Sequence, residues 1–234
     1  MAKRPIFITE KVGPTLVREQ EVEFVFSNGF SLSQKQKSIE SLHDEAYESL
    51  HLEGEILEVS TKSIQPIGTQ LSAFNLSITT ESYGEILLEA AFQGSKVFET
   101  LGQDIDLYRI GSGSEIKKRM REKADDKLMM FSFDGDDWML EPKTAFYDWI
   151  YLQALKQRDS QGEITTSLKD FSAFTDIEFN PKRSINCQAR SCALFVALRY
   201  RNILDEALAD KDSFLQVLKE FGITPAPQQT SFPV

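Results

Sequence analysis

Apolar and polar positions sort this chain into short strands and helices. Residues 1–30 hold short apolar or alternating runs, such as 22–26, bounded by "VGP" and "SNG"; they predict one or two strands or an extended arm. From Ser33, "SQKQKSIESLHDEAYESL" sets Ile39, Leu42, Ala46 and Leu50 on one face, predicting a helix capped by Ser33. "GEILEVS" and "LSAFNLSIT" read as strands, separated by a turn-like "SIQPIG".

A helix is expected to begin near Leu87 and to carry "EAAFQGSKVFE". Ala90, Ala91, Val97 and Phe98 give it apolar surface. Glu89, Gln93 and Lys96, at offsets zero, four and seven, stack along one helical face. Taken alone, that spacing describes a solvated face with one weak ion pair. Glycines 111 and 113 mark a loop, "SEIKKRMREKADDKLMMFSF" reads as a helix with a solvent face, and "DGDDWM" as a turn.

The strongest helical pattern is "EPKTAFYDWIYLQALKQ". Pro142 suits the first helical position, and Ala145, Trp149, Leu152 and Leu155 form an apolar stripe. Further helices are expected over 184–204 and in "DKDSFLQVLKEF", the latter ended by Gly222; residues 223–234 read as a flexible tail. With no repeat and no linker, the pattern predicts one α+β domain over 1–222, predominantly helical with short strands.

Composition narrows the function classes. The net charge of −10 over 234 residues argues against a general nucleic-acid coat or a binder of anionic membranes, while leaving room for a local basic pocket. Cys187 and Cys192 fall five positions apart on one expected helix, a poor fit to disulfide geometry, so both are expected as buried thiols in a reduced compartment. The first residues lack a signal-peptide core and no segment approaches a membrane span, which predicts a cytoplasmic protein with no membrane partner.

The familiar catalytic signatures are missing: there is no dinucleotide glycine fingerprint, no phosphate loop and no H-E-x-x-H. His43 and His51 are the only histidines, and both read as surface or packing residues; "GSKVF" and "GSGSE" have the wrong context for a nucleophile elbow. No metal or cofactor site is expected. The polar stretch "AFTDIEFNPKRSINCQARS" remains, with Asn180 or Ser184 as the cap of the helix that follows. Arg183, Asn186 and Arg190 recur there at offsets zero, three and seven. They read equally as a clamp for phosphate or pyrophosphate and as a salt-bridge network with Asp176 and Glu178. "SQKQKS", with Lys35 and Lys37, is a second basic patch or an exposed first turn, and the run 117–121 reads as a solvent face.

"LSAFNLSI", "EAAFQGSKVFE" and "FTDIEFNPKRSINCQARS", in that order and spacing, resemble the NADAR/YbiA-like proteins. Phe74 matches the aromatic of that family's "SNF" element. Glu89, Phe92, Gln93, Lys96 and Phe98 match its "E-H-x-F-Q-x-x-K-F" motif, and Asp176 and Asn186 match later positions. Ala73 stands at the usual asparagine, and Ala90 replaces the usual histidine. "SQKQKS" and "LEPKTAFYDWIY" extend the resemblance over most of residues 20–205, toward NADAR proteins encoded beside DarT-type toxins.

The resemblance implies an N-glycosidase that removes ADP-ribose from guanine in DNA, releases ADP-ribose, and acts as antitoxin to a DarT-type toxin. It also admits an N-glycosidase on phosphorylated riboflavin-pathway intermediates, or a non-catalytic antitoxin that binds its toxin. In the first case Lys96 attacks the anomeric carbon and forms a Schiff base, Glu89 handles protons, and Asp176 joins them as catalytic. The attack needs a neutral amine, which Phe92 and Phe98 favour by desolvation and Glu89 opposes. Gln93 is assigned to ribose hydroxyls or the base edge, and Arg183, Asn186 and Arg190 to pyrophosphate. Lys35 and Lys37, with Lys62, are assigned to DNA phosphate or the distal ribose, and Phe74 or Trp138 to base stacking.

Overall fold

The computed structural model describes residues 1–223; all but the first residue of the expected tail lie outside the described residues. The chain begins with a hairpin of β1 (Ala2–Thr9) and β2 (Val17–Phe24), followed by α1 (Leu32–Leu50), β3 (Glu55–Glu58) and α2 (Pro66–Gln70). A second hairpin, β4 (Ser77–Thr80) and β5 (Gly84–Leu87), leads into α3 (Leu88–Gly94). Then come β6 (Lys96–Phe98), β7 (Gly102–Gln103), a 3-10 turn over Ile105–Arg109, α4 (Gly113–Arg121), β8 (Leu128–Phe133) and β9 (Asp136–Trp138). The chain continues through α5 (Ala145–Arg158), α6 (Glu163–Leu168), β10 (Phe171–Thr175), α7 (Gln188–Tyr200), α8 (Leu204–Ala207) and α9 (Lys211–Glu220).

The alternation in "PIFI" organises these pieces. Successive strand side chains point to opposite faces. Ile6 and Ile8 therefore join Ile39, Leu42 and Ala46 of α1 in one buried cluster, while Phe7 joins the larger core containing α5 and α7. The central sheet has the order β2-β1-β10-β3, with β1 antiparallel to β10 (Phe7 opposite Phe174) and β10 parallel to β3. The β4–β5 ribbon and a sheet of order β7-β6-β8-β9 complete an α+β fold. About 41% of the structure is helical and 21% strand, so the helical bias is weaker than the sequence predicts. Among the described residues no helix is long and apolar enough to cross a membrane.

Several local expectations change. α1 is capped by Ser31 rather than Ser33: the Ser31 side chain accepts from the Gln34 amide at 3.4 Å. The strand expected at "LSAFNLSIT" begins only at Ser77, because Ser72 folds back into a turn that receives the amides of Asn75 and Leu76. The "SIQPIG" turn continues into α2, with Pro66 in its first turn. The charged helix after Gly113 stops at Arg121, and "LMMFSF" becomes β8. Pro142 precedes α5 in a turn closed by the Ala145 amide on the Pro142 carbonyl. Cys187 and Cys192 are both free and buried, and burial pushes both thiols up from their ordinary range.

Candidate active site

The stripe of Glu89, Gln93 and Lys96 is half helical. Glu89 and Gln93 lie one turn apart on α3, and Gln93 Nε2 donates to Glu89 Oε1 at 3.0 Å. α3 ends at Gly94, where an added Cβ would collide with the Tyr108 ring. Ser95 then caps the helix: its hydroxyl donates to the Ala91 carbonyl at 2.6 Å, and its own carbonyl accepts the Ser132 amide at 2.7 Å. Sheet pairing takes over, so Lys96 is the first residue of β6, opposite Phe131 of β8. The seven-residue helical offset is thereby corrected. Lys96 still returns to the same neighbourhood, with Nζ 4.8 Å from the centre of the Phe92 ring.

That placement settles the contest between desolvation and charge. Burial lowers the Lys96 pKa, Glu89 raises it, and the net direction is down. A lowered pKa enlarges the fraction of neutral, nucleophilic amine. Phe92 lies beneath, buried against Phe131 and Tyr147, and supports the lysine from a hydrophobic base. Phe98, on the same short strand, is buried as well.

Glu89 and Gln93 open onto a hollow of about 320 Å³ walled by α4, with Lys117 and Arg121 on its rim. Lys117 also borders a larger cavity of about 720 Å³, a size suited to a small-molecule ligand. Arg4, Lys35, Lys62, Lys117 and Arg183 bring five cations to this cavity, and Phe74, Asn186 and Gln188 line it too. Lys35 is held by Glu178 at 2.8 Å, and Lys117 stands 5.1 Å over the Phe74 ring. Asn186 Oδ1 and Arg4 Nε are buried without a hydrogen-bond partner among the described residues. Both residues therefore keep polar capacity for a ligand.

A polar network supports this cavity. Asp176 Oδ1 accepts the Glu178 and Phe179 amides at 2.9 and 3.2 Å, and its Oδ2 accepts Gln188 Nε2 at 3.0 Å. Gln188 Oε1 in turn accepts the Ala73 amide at 2.8 Å, tying the Phe74 segment to the 176–188 loop. Behind Asp176 lies Glu58, whose carboxylate accepts Ser60 Oγ (2.6 Å), the Ile177 amide (2.9 Å) and Thr175 Oγ1 (2.7 Å). His43 Nε2 meets Thr175 Oγ1 at 2.8 Å and extends the chain to α1. Burial raises both carboxyl pKa values, and their proximity raises Asp176 further. Burial lowers His43 to about 4 and keeps it neutral.

The family model described as DarT1-associated NADAR antitoxin matches residues 2–228. The chain belongs to this family. No curated protein matches it.

Within this NADAR antitoxin the structure redistributes the residues singled out in the sequence. Lys35, Lys62, Phe74, Arg183 and Asn186 meet at the large cavity, and Glu89 and Gln93 at the adjoining hollow. Lys96 and Phe92 line neither space, and Lys96 is linked to the hollow through its charge interaction with Glu89. Residues 181–187 form a loop, because Asn180 draws the Lys182, Arg183 and Ser184 amides into a turn; α7 starts only at Gln188. The arginine stripe is thus broken. Arg190 turns away from the cavity and pairs with Asp148, which also accepts Ser191 Oγ at 2.6 Å. Trp138 is buried among Phe146, Trp149 and Phe214, where no base can stack on it. Lys37 is exposed and lies outside the cavity wall. Asp176, expected as catalytic, has both oxygens in hydrogen bonds within the protein and joins the network that supports the cavity.

Sequence reasoning missed Arg4, Glu58, Ser60, Lys117, Tyr147 and Gln188. Glu58 had a signal, since a carboxylate closes an otherwise inward-facing run in β3. Arg4 shares strand parity with Ile6 and Ile8, which places it on the α1 side. Tyr147 packs on Phe92 within electrostatic reach of Glu89 and Asp176; burial raises its pKa first, and those carboxylates add to it. No local pattern marks it, because an aromatic on an apolar helix reads as core.

Proposed function

We propose that this NADAR antitoxin is an N-glycosidase that removes ADP-ribose from guanine bases in DNA and so reverses the mark left by a DarT-type toxin. The observation that carries this reading is Lys96, a buried lysine of lowered pKa within electrostatic reach of Glu89, which lines the hollow adjoining a strongly basic cavity. The neutral amine attacks the anomeric carbon as the bond to the guanine nitrogen breaks, and the departing base takes up a proton. Ring opening then gives the lysine Schiff base, which water hydrolyses to free ADP-ribose and the amine. Glu89 is placed to move these protons. Gln93 Nε2 is occupied by Glu89, so its amide oxygen is left to accept a ribose hydroxyl.

Arg4, Lys35, Lys62, Lys117 and Arg183 would hold the pyrophosphate, and Phe74 offers its ring to adenine. Five cations around one cavity suit a diphosphate better than the single phosphate of a riboflavin-pathway intermediate. A purely toxin-binding antitoxin gives no reason for a desolvated lysine beside a carboxylate. The test is incubation with an oligonucleotide carrying ADP-ribosylated guanine, without added metal, and mass analysis of both products. Restored DNA with free ADP-ribose is expected; an adduct left intact by folded protein overturns the reading.

A further inference from the structure

Two residues of the large cavity also belong to a third hollow. Arg4 and Asn180 line both the 720 Å³ cavity and a neighbouring depression of about 420 Å³, whose other walls include Lys3, Lys182 and Glu21. At the far end, Lys117 joins the cavity to the hollow that holds Arg121, Glu89 and Gln93. Sharing these wall residues, the three spaces adjoin one another in a row and make a track. Along it run Lys3, Lys182, Arg4, Arg183, Lys35, Lys62, Lys117 and Arg121, against the carboxylates Glu21, Glu178 and Glu89. Of these cations only Lys35 has a carboxylate partner among the described residues. In a chain with 36 acidic and 26 basic side chains, so one-sided a line of charge is a local exception.

An exposed aromatic stands in the chain just ahead of the helix that carries Lys35. Phe30 is fully exposed. It directly precedes Ser31, the N-cap of α1, whose carbonyl accepts the amide of the cavity-lining Lys35 at 3.2 Å. A basic groove edged by an exposed aromatic ring is the arrangement that grips a single nucleic-acid strand, with cations on phosphates and the ring on a base.

We propose that the DNA strand flanking the adduct lies along this track, with its phosphates on Lys3 and Lys182 beyond the cavity and an unstacked neighbouring base on Phe30. The inference rests on the glycosidase reading for its substrate and adds what distinguishes a polynucleotide from an isolated nucleoside. Lys3 and Lys182 lie outside the space assigned to ADP-ribose, so they have no part in binding the modified sugar itself. Each phosphate contact on a single strand steepens the salt dependence of binding by about 0.7 in log–log slope.

The experiment compares two substrates, ADP-ribosylated guanosine and a single-stranded oligonucleotide carrying the same adduct, for wild type, Phe30→Ala and the double variant Lys3→Glu/Lys182→Glu. Both variants are expected to keep wild-type kcat/KM on the nucleoside. On the oligonucleotide the double variant should lose about tenfold and show a shallower salt dependence, and Phe30→Ala should lose several-fold. Equal effects on both substrates, or none on the oligonucleotide, overturn the track. If wild type cleaves neither substrate, the glycosidase reading fails by itself. Anisotropy with an unmodified single-stranded decanucleotide then decides the track: salt-sensitive binding weakened by Lys3→Glu/Lys182→Glu supports it, and binding indifferent to those charges overturns it.

Discussion

Lys96 holds its Nζ 4.8 Å from the centre of the Phe92 ring, although one residue opens a strand and the other lies within a helix. The turn at Gly94 and Ser95 brings them together, and the helix itself does not extend to the lysine. The contact pairs a cation with an aromatic face while removing water from the amine, two effects that act in opposite directions on its protonation.

Lys96→Arg keeps the positive charge and the ring contact but cannot form a Schiff base. Turnover should fall by at least about a thousandfold while ADP-ribose affinity changes little. Borohydride added during turnover should attach the sugar to the peptide containing Lys96 in wild type and leave the variant unlabelled, as read by peptide mass mapping. Label on Lys35, Lys37 or Lys62 instead would move the nucleophile elsewhere.

Glu89→Gln removes the charge that raises the Lys96 pKa and leaves burial, which lowers it, in place. The lysine should therefore titrate at lower pH in the variant. Competitive labelling with an amine-directed reagent across pH reads this without any need for activity. An unchanged or raised titration point means that the two side chains do not interact.

Arg190 and Arg183 should separate cleanly. Arg190→Ala strands the buried Asp148 carboxylate and should cost about 3–5 kcal/mol of stability. Arg183 is exposed on the cavity rim, so Arg183→Ala should leave thermal stability within about 0.5 kcal/mol. It should instead weaken ADP-ribose binding by about 1.5–3 kcal/mol, the worth of a charge-assisted contact. Calorimetry of unfolding and of ligand binding on the same two variants checks both halves.

His43 works against the fold in acid. Its folded pKa, about 4, lies below the ordinary 6.5, so the unfolded chain takes up a proton first as pH falls. The associated stability is complete above about pH 6.5 and declines progressively down to about pH 4. The full effect is about 3 kcal/mol at 1.36 kcal/mol per unit. Glu58 and Asp176 act with the opposite sign: raised carboxyl pKa values favour the folded state at low pH and lose that advantage as pH rises. Because Asp176 is raised from 3.8 to about 8, its gain as pH falls offsets the His43 loss between about pH 6.5 and 4, so stability measured by urea unfolding should change little over that range and decline as pH rises from about 6.5 to 8. His43→Gln should leave the carboxyl gain unopposed, so that stability rises as pH falls toward 4, and Asp176→Asn should flatten the decline toward pH 8.

Local patterns in the chain mark the elements with a strong period and supply the chemical groups. The apolar stripe of α5, the first helix with Ile39 and Leu42, and the Glu89–Gln93 pair are local patterns, since residues one turn apart meet wherever a helix forms. The motif order was legible for the same reason, and it led to the family. Packing sets where helices stop and which cations line the cavity. Gly94, where α3 ends, packs closely on Tyr108, and Arg190 pairs with Asp148 of α5 instead of standing beside Arg183. Lys117 became a cavity residue only when α4 packed Gly113 against Phe74. Glu58, Asp176 and Gln188 come from segments far apart in the chain, and spacing cannot encode a network whose bonds are made by the packing of β3, β10 and α7. Local propensity acts over a few residues, whereas burial and charge pairing are properties of the assembled core.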